Sequence, residues 1–222
     1  NVTVPHKAAA LALSHPDARA LAIGAANTLW FDEGTLRSTN TDAEGFLANL
    51  DASAPGWDKG IKAALVLGAG GSAHAVVFGL AERCVPRIYV ANRTIARAQE
   101  IAARFGSSVH PIAWDDKGEC FSAIGLLVNT TTLGMAGQPP LTIALDRLPG
   151  DAVVADLVYV PLETALLAAA RARGLRCADG LGMLLHQAVR GFSLWFGVHP
   201  AVTAELRALV EADLVSPAPA RR

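Results

Sequence analysis

Residues 67–73 read LGAGGSA and fit G-x-G-x-x-G/A, with Gly68, Gly70 and Ala73 at the fixed positions. Gly68 permits a tight turn out of a strand, Gly70 lets the backbone approach a pyrophosphate, and Ala73 lets the next helix lie close on a sheet. That helix start offers free N–H groups and the positive end of a dipole. The chemistry is the cradling of phosphate. A site selective for NAD places Asp or Glu at the end of the following strand, against the ribose 2′-hydroxyl. Here "ANRT" (91–94) supplies Asn92 and Arg93, and Arg97 follows one helical turn on. Two guanidiniums suit a 2′-phosphate through charge-assisted, bidentate bonds, so the expected cofactor is NADP. The plain alternatives are a ligand-free Gly-rich turn and a solvated arginine face. The strand–turn–helix context favours the binding site.

Hydride chemistry also needs a group that moves a hydroxyl proton. No Tyr-x-x-x-Lys is present, and His6, His15, His74, His110, His186 and His199 are scattered. Cys84, Cys120 and Cys177 are widely spaced with no CxxC, so neither a metal site nor a disulfide framework is expected. That leaves Lys7 in "NVTVPHK" and Asp42 in "NTDAEG". A carboxylate can orient and tune an ammonium that faces a polar substrate, or pass a proton through it. Taken alone, a Lys and an Asp so far apart in the chain are more plainly two unrelated surface charges.

The elements that must position these groups follow from the hydrophobic pattern. Residues 8–22 predict one Ala-rich helix and 23–30 a strand, with a turn at "DEG" (32–34) and a helix from Asp42 or Ala43. The opening residues 1–4 look like part of a strand. "SAPGWDKG" (53–60) is a loop and a candidate domain boundary. Strands are expected at 63–67, 87–91, 109–112, 125–130, 152–157 and 175–178, and helices at 94–105, 163–173, 181–196 and 200–212. The tail beyond is expected to fray. The strand at 63–67 is apolar throughout, as a parallel strand covered on both faces would be. Together these predict a doubly wound α/β domain of Rossmann type plus a second α/β unit.

Bulk properties exclude several classes. The chain has 222 residues, 52% of them hydrophobic, and 19 basic against 20 acidic residues give a net charge of −1. No basic footprint for nucleic acid or an anionic membrane is present, and no apolar run reaches the ~18 residues of a span. Free thiols fit a reducing cytosol, so a cytoplasmic location is expected. Oligomeric state is not legible; a homodimer is the assembly carried forward.

In order, "NVTVPHK", "GAANTL", "NTDAEGF", "LGAGGSAHA", "ANRT", "VNTTTLGM", "DLVYVPLET" and "DGLGMLLHQA" span almost the whole chain. The chain strongly resembles the shikimate/quinate dehydrogenase family. The resemblance implies NADP-dependent interconversion of 3-dehydroshikimate and shikimate in aromatic amino acid biosynthesis. It makes Lys7 and Asp42 the catalytic pair, and Thr3, Lys7, Asn27, Asp42, Tyr159 and Gln187 the substrate contacts. It assigns Gly68, Ala69, Gly70, Gly71, Ser72 and Ala73 to the pyrophosphate, and Asn92, Arg93, Thr94 and Arg97 to the 2′-phosphate. Thr130, Thr131, Thr132, Val158, Gly180 and Met183 fall at the nicotinamide end. The residues themselves leave simpler roles open: Asn27 and Thr28 as turn residues, Gln187 as a polar spot on a buried helix, and Met183 as core.

The resemblance also implies a substrate domain at 1–46 and 183–222 and a dinucleotide domain at 47–182. It implies a preceding stretch of about 60 residues bearing a Ser-x-Ser motif for the substrate carboxylate, so that this chain alone would bind NADP and turn over weakly. His74 stands where many relatives carry Arg, which would weaken a contact to the cofactor. The rival readings are a quinate or amino-shikimate dehydrogenase and a catalytically weak NADP-binding fragment.

Overall fold

The computed structural model describes residues 1–3 and 5–215; the expectations for Val4 and for the tail after residue 215 lie outside them. Six parallel strands form the larger sheet: β4 (Ala64–Leu67), β5 (Ile88–Asn92), β6 (Val109–Ala113), β7 (Leu126–Asn129), β8 (Val153–Asp156) and β9 (Arg176–Ala178). Their order, β6-β5-β4-β7-β8-β9, reverses direction beside β4, which is the doubly wound arrangement expected. β4 shows why the apolar runs predict it. Ala64 and Val66 enter the core on one face, and Leu65 and Leu67 enter the core on the other, as alternating strand side chains must.

Helices α4 (Gly71–Glu82), α5 (Ile95–Phe105) and α6 (Ala165–Ala172) cover this sheet. On α5 Ala98 and Ile101 are buried and Ala102 and Phe105 half-buried against the core, and the polar face is exposed. A 3-10 helix at Asp115–Ala123, which no periodicity announces, leads into β7.

The first forty residues depart from expectation. The single helix at 8–22 is two short ones, α1 (Lys7–Ala12) and α2 (Ala18–Ile23). Pro16 has no N–H for a continuing helix, and His15–Pro16 instead form β1, paired parallel with β3 (Thr35–Thr39). The Asp17 carboxylate then caps α2 by accepting from the Ala20 N–H at 2.8 Å. The strand expected at 23–30 begins later, as β2 (Thr28–Asp32), because Gly24 closes α2 in the left-handed region. β2 and β3 form a hairpin through Glu33 and Gly34, both at positive φ. Residues 1–3 form no strand; Val2 makes one backbone bond, donating to the Asn27 carbonyl at 2.7 Å.

Helices α3 (Asp42–Ser53) and α7 (Gly180–Phe196) join the two sheets. Gly45 makes their approach possible, since a Cβ there would lie 2.5 Å from the Gln187 Cβ. The last helix, α8 (Ala204–Val215), is pinned to the start of α7 by Arg207, which donates twice to the Asp179 carboxylate at 2.7 and 3.2 Å.

Candidate active site

The hairpin returns the chain along β3 into Asn40 and Thr41, and α3 starts at Asp42. A carboxylate in a first helical turn faces the positive dipole end, which favours it there. α1 starts at Lys7 on the other side of the same cleft. Lys7 Nζ donates to Asp42 Oδ2 at 2.5 Å, and the two side chains are only 15% and 10% exposed. Asp42 Oδ1 accepts from Asn27 Nδ2 at 2.8 Å. Both carboxylate oxygens are thus held, and one of the three ammonium donors is used, leaving two for a ligand.

Asn27 is fixed in turn. Its Oδ1 accepts from the Thr41 N–H at 2.9 Å and the Thr28 hydroxyl at 2.9 Å. The Thr41 hydroxyl donates to Gln187 Oε1 at 3.1 Å, and Gln187 Nε2 donates to the Leu184 carbonyl at 3.1 Å. Asn27, Thr41, Asp42 and Gln187 therefore form one connected polar cluster across α3 and α7. Thr41 was not among the sequence candidates. The signal for it was present in the run of six polar residues, 37–42, that leads into a helix start.

A cleft of about 440 Å³ opens over this cluster. Six residues singled out as substrate contacts, Thr3, Lys7, Asn27, Asp42, Tyr159 and Gln187, all line it, together with Ser72, Gly180 and Met183. Met183 is also part of the core. A smaller cavity of about 240 Å³ shares Ser72, Leu157 and Tyr159 with the cleft and adds Thr130, Thr131, Thr132 and Val158.

Two loops shape that smaller cavity, and a buried carboxylate ties them together. Asp156 accepts from Asn129 Nδ2 at 2.8 Å, the Val158 N–H at 3.1 Å and the Thr164 hydroxyl at 2.7 Å. Asn129 Oδ1 accepts from the Thr131 N–H and hydroxyl at 3.0 and 2.7 Å. Burial is the main influence on Asp156 and raises its pKa, against the pull of its three donors. Sequence inspection missed this network, although a polar residue ending each of two apolar strands ("LLVN", "VVAD") was its trace.

The glycine-rich loop meets the requirements of a dinucleotide. Gly68 sits at φ +100°, where a side chain is strained, and a Cβ there would also press on Thr130 and Thr131 at 2.9 Å. A Cβ at Gly70 or Gly71 would meet nothing within 4 Å, so open space lies over the loop. No side chain caps α4 and no acidic residue occupies its first turn, so its leading N–H groups are available to an anion. Ala69 and Ala73 are buried against the sheet, and Ser72 reaches the cleft. At the end of β5, Asn92 Nδ2 donates to the Thr94 carbonyl at 2.8 Å. Arg93 and Arg97 are exposed beside it, with no ion-pair partner among the described residues. They do not line the cleft itself.

His74 turns away from the loop. Its ring lies 6.2 Å from the Phe105 ring. Burial first, then the Arg104 guanidinium, lowers its pKa from the usual 6.5. Among the described residues no three His, Cys, Asp or Glu side chains group to hold a metal ion. No helix among them is long and apolar enough to cross a membrane.

Comparison with known proteins adds to this geometry. The family model described as "Shikimate / quinate 5-dehydrogenase" matches residues 57–133, and that for the "Shikimate 5'-dehydrogenase C-terminal domain" matches 180–210. A shikimate dehydrogenase (NADP(+)) from Nitrobacter hamburgensis is 70% identical over 220 residues, covering 99% of this chain and 77% of that protein. The quinate dehydrogenase of Corynebacterium glutamicum, solved in complex with NAD, superposes with a TM-score of 0.88 at 32% identity. That match covers 96% of this chain and 77% of the solved one. The shikimate 5-dehydrogenase of Thermus thermophilus, solved with NADP(H) and shikimate, gives a TM-score of 0.78 at 39% identity with the same coverage.

Proposed function

The chain belongs to the shikimate/quinate dehydrogenase family, and on that premise we propose that it reversibly reduces 3-dehydroshikimate to shikimate with NADP, as an oxidoreductase of aromatic amino acid biosynthesis. The observation that carries this reading is the Lys7–Asp42 pair in a polar cleft that opens onto the glycine-rich loop through Ser72. NADP, when bound, supplies or accepts the hydride at the substrate's C3. Gly68, Ala69, Gly70, Gly71, Ser72 and Ala73 would hold its pyrophosphate, and Asn92, Arg93, Thr94 and Arg97 its 2′-phosphate. Thr130, Val158, Gly180 and Met183 would lie at its nicotinamide end.

Lys7 Nζ gives a proton to the ketone oxygen in the reducing direction and receives it back in the oxidising one. Asp42 keeps that ammonium aimed into the cleft, and Asn27 holds Asp42 through Oδ1. Thr3, Tyr159 and Gln187, with Asn27 and Asp42, supply short donors and acceptors to the ring hydroxyls. An analogue lacking one hydroxyl would leave a buried polar group without a partner, which is how such a site rejects it. In this reading residues 1–46 and 183–222 form the substrate side and 47–182 the cofactor side, with α3 and α7 running through both. A cytoplasmic setting and a homodimer complete the proposal.

A second reading, quinate oxidation with NAD, is favoured by the likeness to the quinate dehydrogenase; Arg93 and Arg97 weigh against it. Steady-state oxidation of shikimate and quinate, each with NADP and with NAD, decides between them. The expected result is the highest kcat/KM for shikimate with NADP. A preference for quinate with NAD would overturn the proposal.

A further inference from the structure

A parallel sheet has two chemically different ends. The loop and cleft described above lie at the C-terminal ends of the strands. At the opposite end, where β4, β5, β7, β8 and β9 begin, a cleft of about 500 Å³ opens. Lys59, Lys62, Arg87 and Arg176 line it with Tyr89, and Asp151 is the one carboxylate in its wall.

The charge there is not a sample of the surface average, since the whole chain is nearly neutral at −1. Most cations among the described residues are engaged: Lys7, Arg19, Arg37, Arg83, Arg171, Arg190 and Arg207 in ion pairs, and Arg104, Lys117, Arg173 and Arg176 on carbonyls. Among the described residues, Lys59, Lys62, Arg87, Arg93, Arg97 and Arg147 have no ion-pair or hydrogen-bonded side-chain partner. Arg93 and Arg97 are the pair assigned to a 2′-phosphate. Lys59, Lys62 and Arg87 meet in this second cleft.

Arg176 is fixed across the cleft wall, donating to the Pro55 and Asp151 carbonyls at 3.2 Å each. The Ala64, Gly125 and Val153 N–H groups at these strand starts already donate to carbonyls at 2.9 Å. The cationic side chains are the charged donors the cleft offers. Trp57 and Ile124, both almost fully buried, give the cleft an apolar floor. Four cationic side chains around an apolar floor suit a compact organic molecule carrying several anionic oxygens. Because the cations surround a concavity and no continuous basic face extends from it, the occupant is a small molecule, not a nucleic acid.

We propose that this cleft is a second binding site, separate from the substrate and dinucleotide sites, for a small organic polyanion bearing phosphate or several carboxylates. The test is titration calorimetry on the enzyme already saturated with NADPH and shikimate, a pair that cannot react with each other and that blocks the other anion sites, at about 150 mM salt to screen loose pairing. Inorganic pyrophosphate and citrate are the two probes, distinguishing phosphate from carboxylate recognition. The expected result is one saturable site for at least one probe. Its affinity should fall about tenfold or more in Lys62→Glu/Arg87→Glu, and fall less in the milder Lys59→Ala, as each change removes attraction for the anion. kcat/KM for shikimate and the thermal midpoint should stay unchanged in both variants. Absence of saturable heat with both probes, or equal affinity in parent and double variant, would overturn the proposal. So would tighter binding of a short single-stranded RNA than of either probe.

Discussion

Replacing Asp156 by Ala separates two ways in which a buried carboxylate can act. If Asp156 only tolerates its burial, removing it is harmless. If it ties the two loops together, removing it strands the donors that converge on it. Three groups donate to it: Asn129 Nδ2, the Val158 N–H and the Thr164 hydroxyl. Asn129 Nδ2 keeps the Leu133 carbonyl at 3.1 Å, and the Thr164 hydroxyl can turn, but the Val158 N–H is left with nothing. At ~1–3 kcal/mol for that one stranded buried donor, less the relief of no longer burying a charge, the net loss is about 2 kcal/mol. For a chain of this size that is a thermal midpoint ~4–8 °C lower. Asp156→Asn keeps an acceptor for Asn129 and Val158, and its amide can donate to the Thr164 hydroxyl, so it should cost about 1 kcal/mol or less. Thermal melting measures the first effect. Steady-state kinetics measure the second, a raised KM for NADP in the Ala variant, because Thr130 and Val158 ride on the loops released. Equal midpoints for the Ala and Asn variants, or an Ala variant within ~2 °C of the parent, would refute the tie.

Gly45→Ala places a Cβ against Gln187, so α3 and α7 must part; ~1–3 kcal/mol of stability and much of kcat/KM should be lost, and a parent-like enzyme would show the approach is not needed. Arg93→Ala/Arg97→Ala should raise KM for NADP ~10–100-fold and leave KM for NAD nearly alone, since charge-assisted bonds contribute ~1.5–3 kcal/mol; an equal loss for both cofactors would count against a 2′-phosphate role. Burial and Arg104 lower the His74 pKa, and burial lowers that of His186. Their contribution to stability is therefore complete above the ordinary 6.5 and is lost as pH falls through the depressed folded values. Thermal midpoints measured from about pH 8 to about pH 5.5 should fall, and less steeply in His74→Gln; identical slopes would show His74 is not linked to folding. Asp156, raised by burial, acts in the opposite sense nearer the carboxylate range, regaining stability as it takes up its proton.

The larger sheet was legible because its central strands β4, β7 and β8 are buried on both faces, so apolar runs such as 63–67 could hardly be anything else. The glycine-rich turn was legible because its spacing is set by a backbone requirement that three named positions must meet. The first forty residues were not. β1 is two residues, His15 and Pro16, and exists only because β3 lies beside it; a pairing partner twenty-two positions away leaves no local period. The meeting of Lys7 with Asp42 is a product of the same long-range arrangement, and family resemblance, not spacing, pointed to it. Asn129 and Asp156 escaped notice because a polar residue ending an apolar strand looks the same in sequence whether it faces solvent or closes a buried network, and Thr41 because it is one of six consecutive polar residues, 37–42.

The role of Lys7 is tested most directly by Lys7→Ala, followed by nicotinamide absorbance during shikimate oxidation with NADP and by direct measurement of NADP affinity. Loss of a positioned proton carrier should lower kcat by roughly 10²–10⁴-fold. NADP affinity should not change, because Lys7 meets Asp42 and the substrate cleft, not the glycine-rich loop. A variant that oxidises shikimate within a few-fold of the parent rate would remove Lys7 from the chemistry and contradict the mechanism proposed for the cleft.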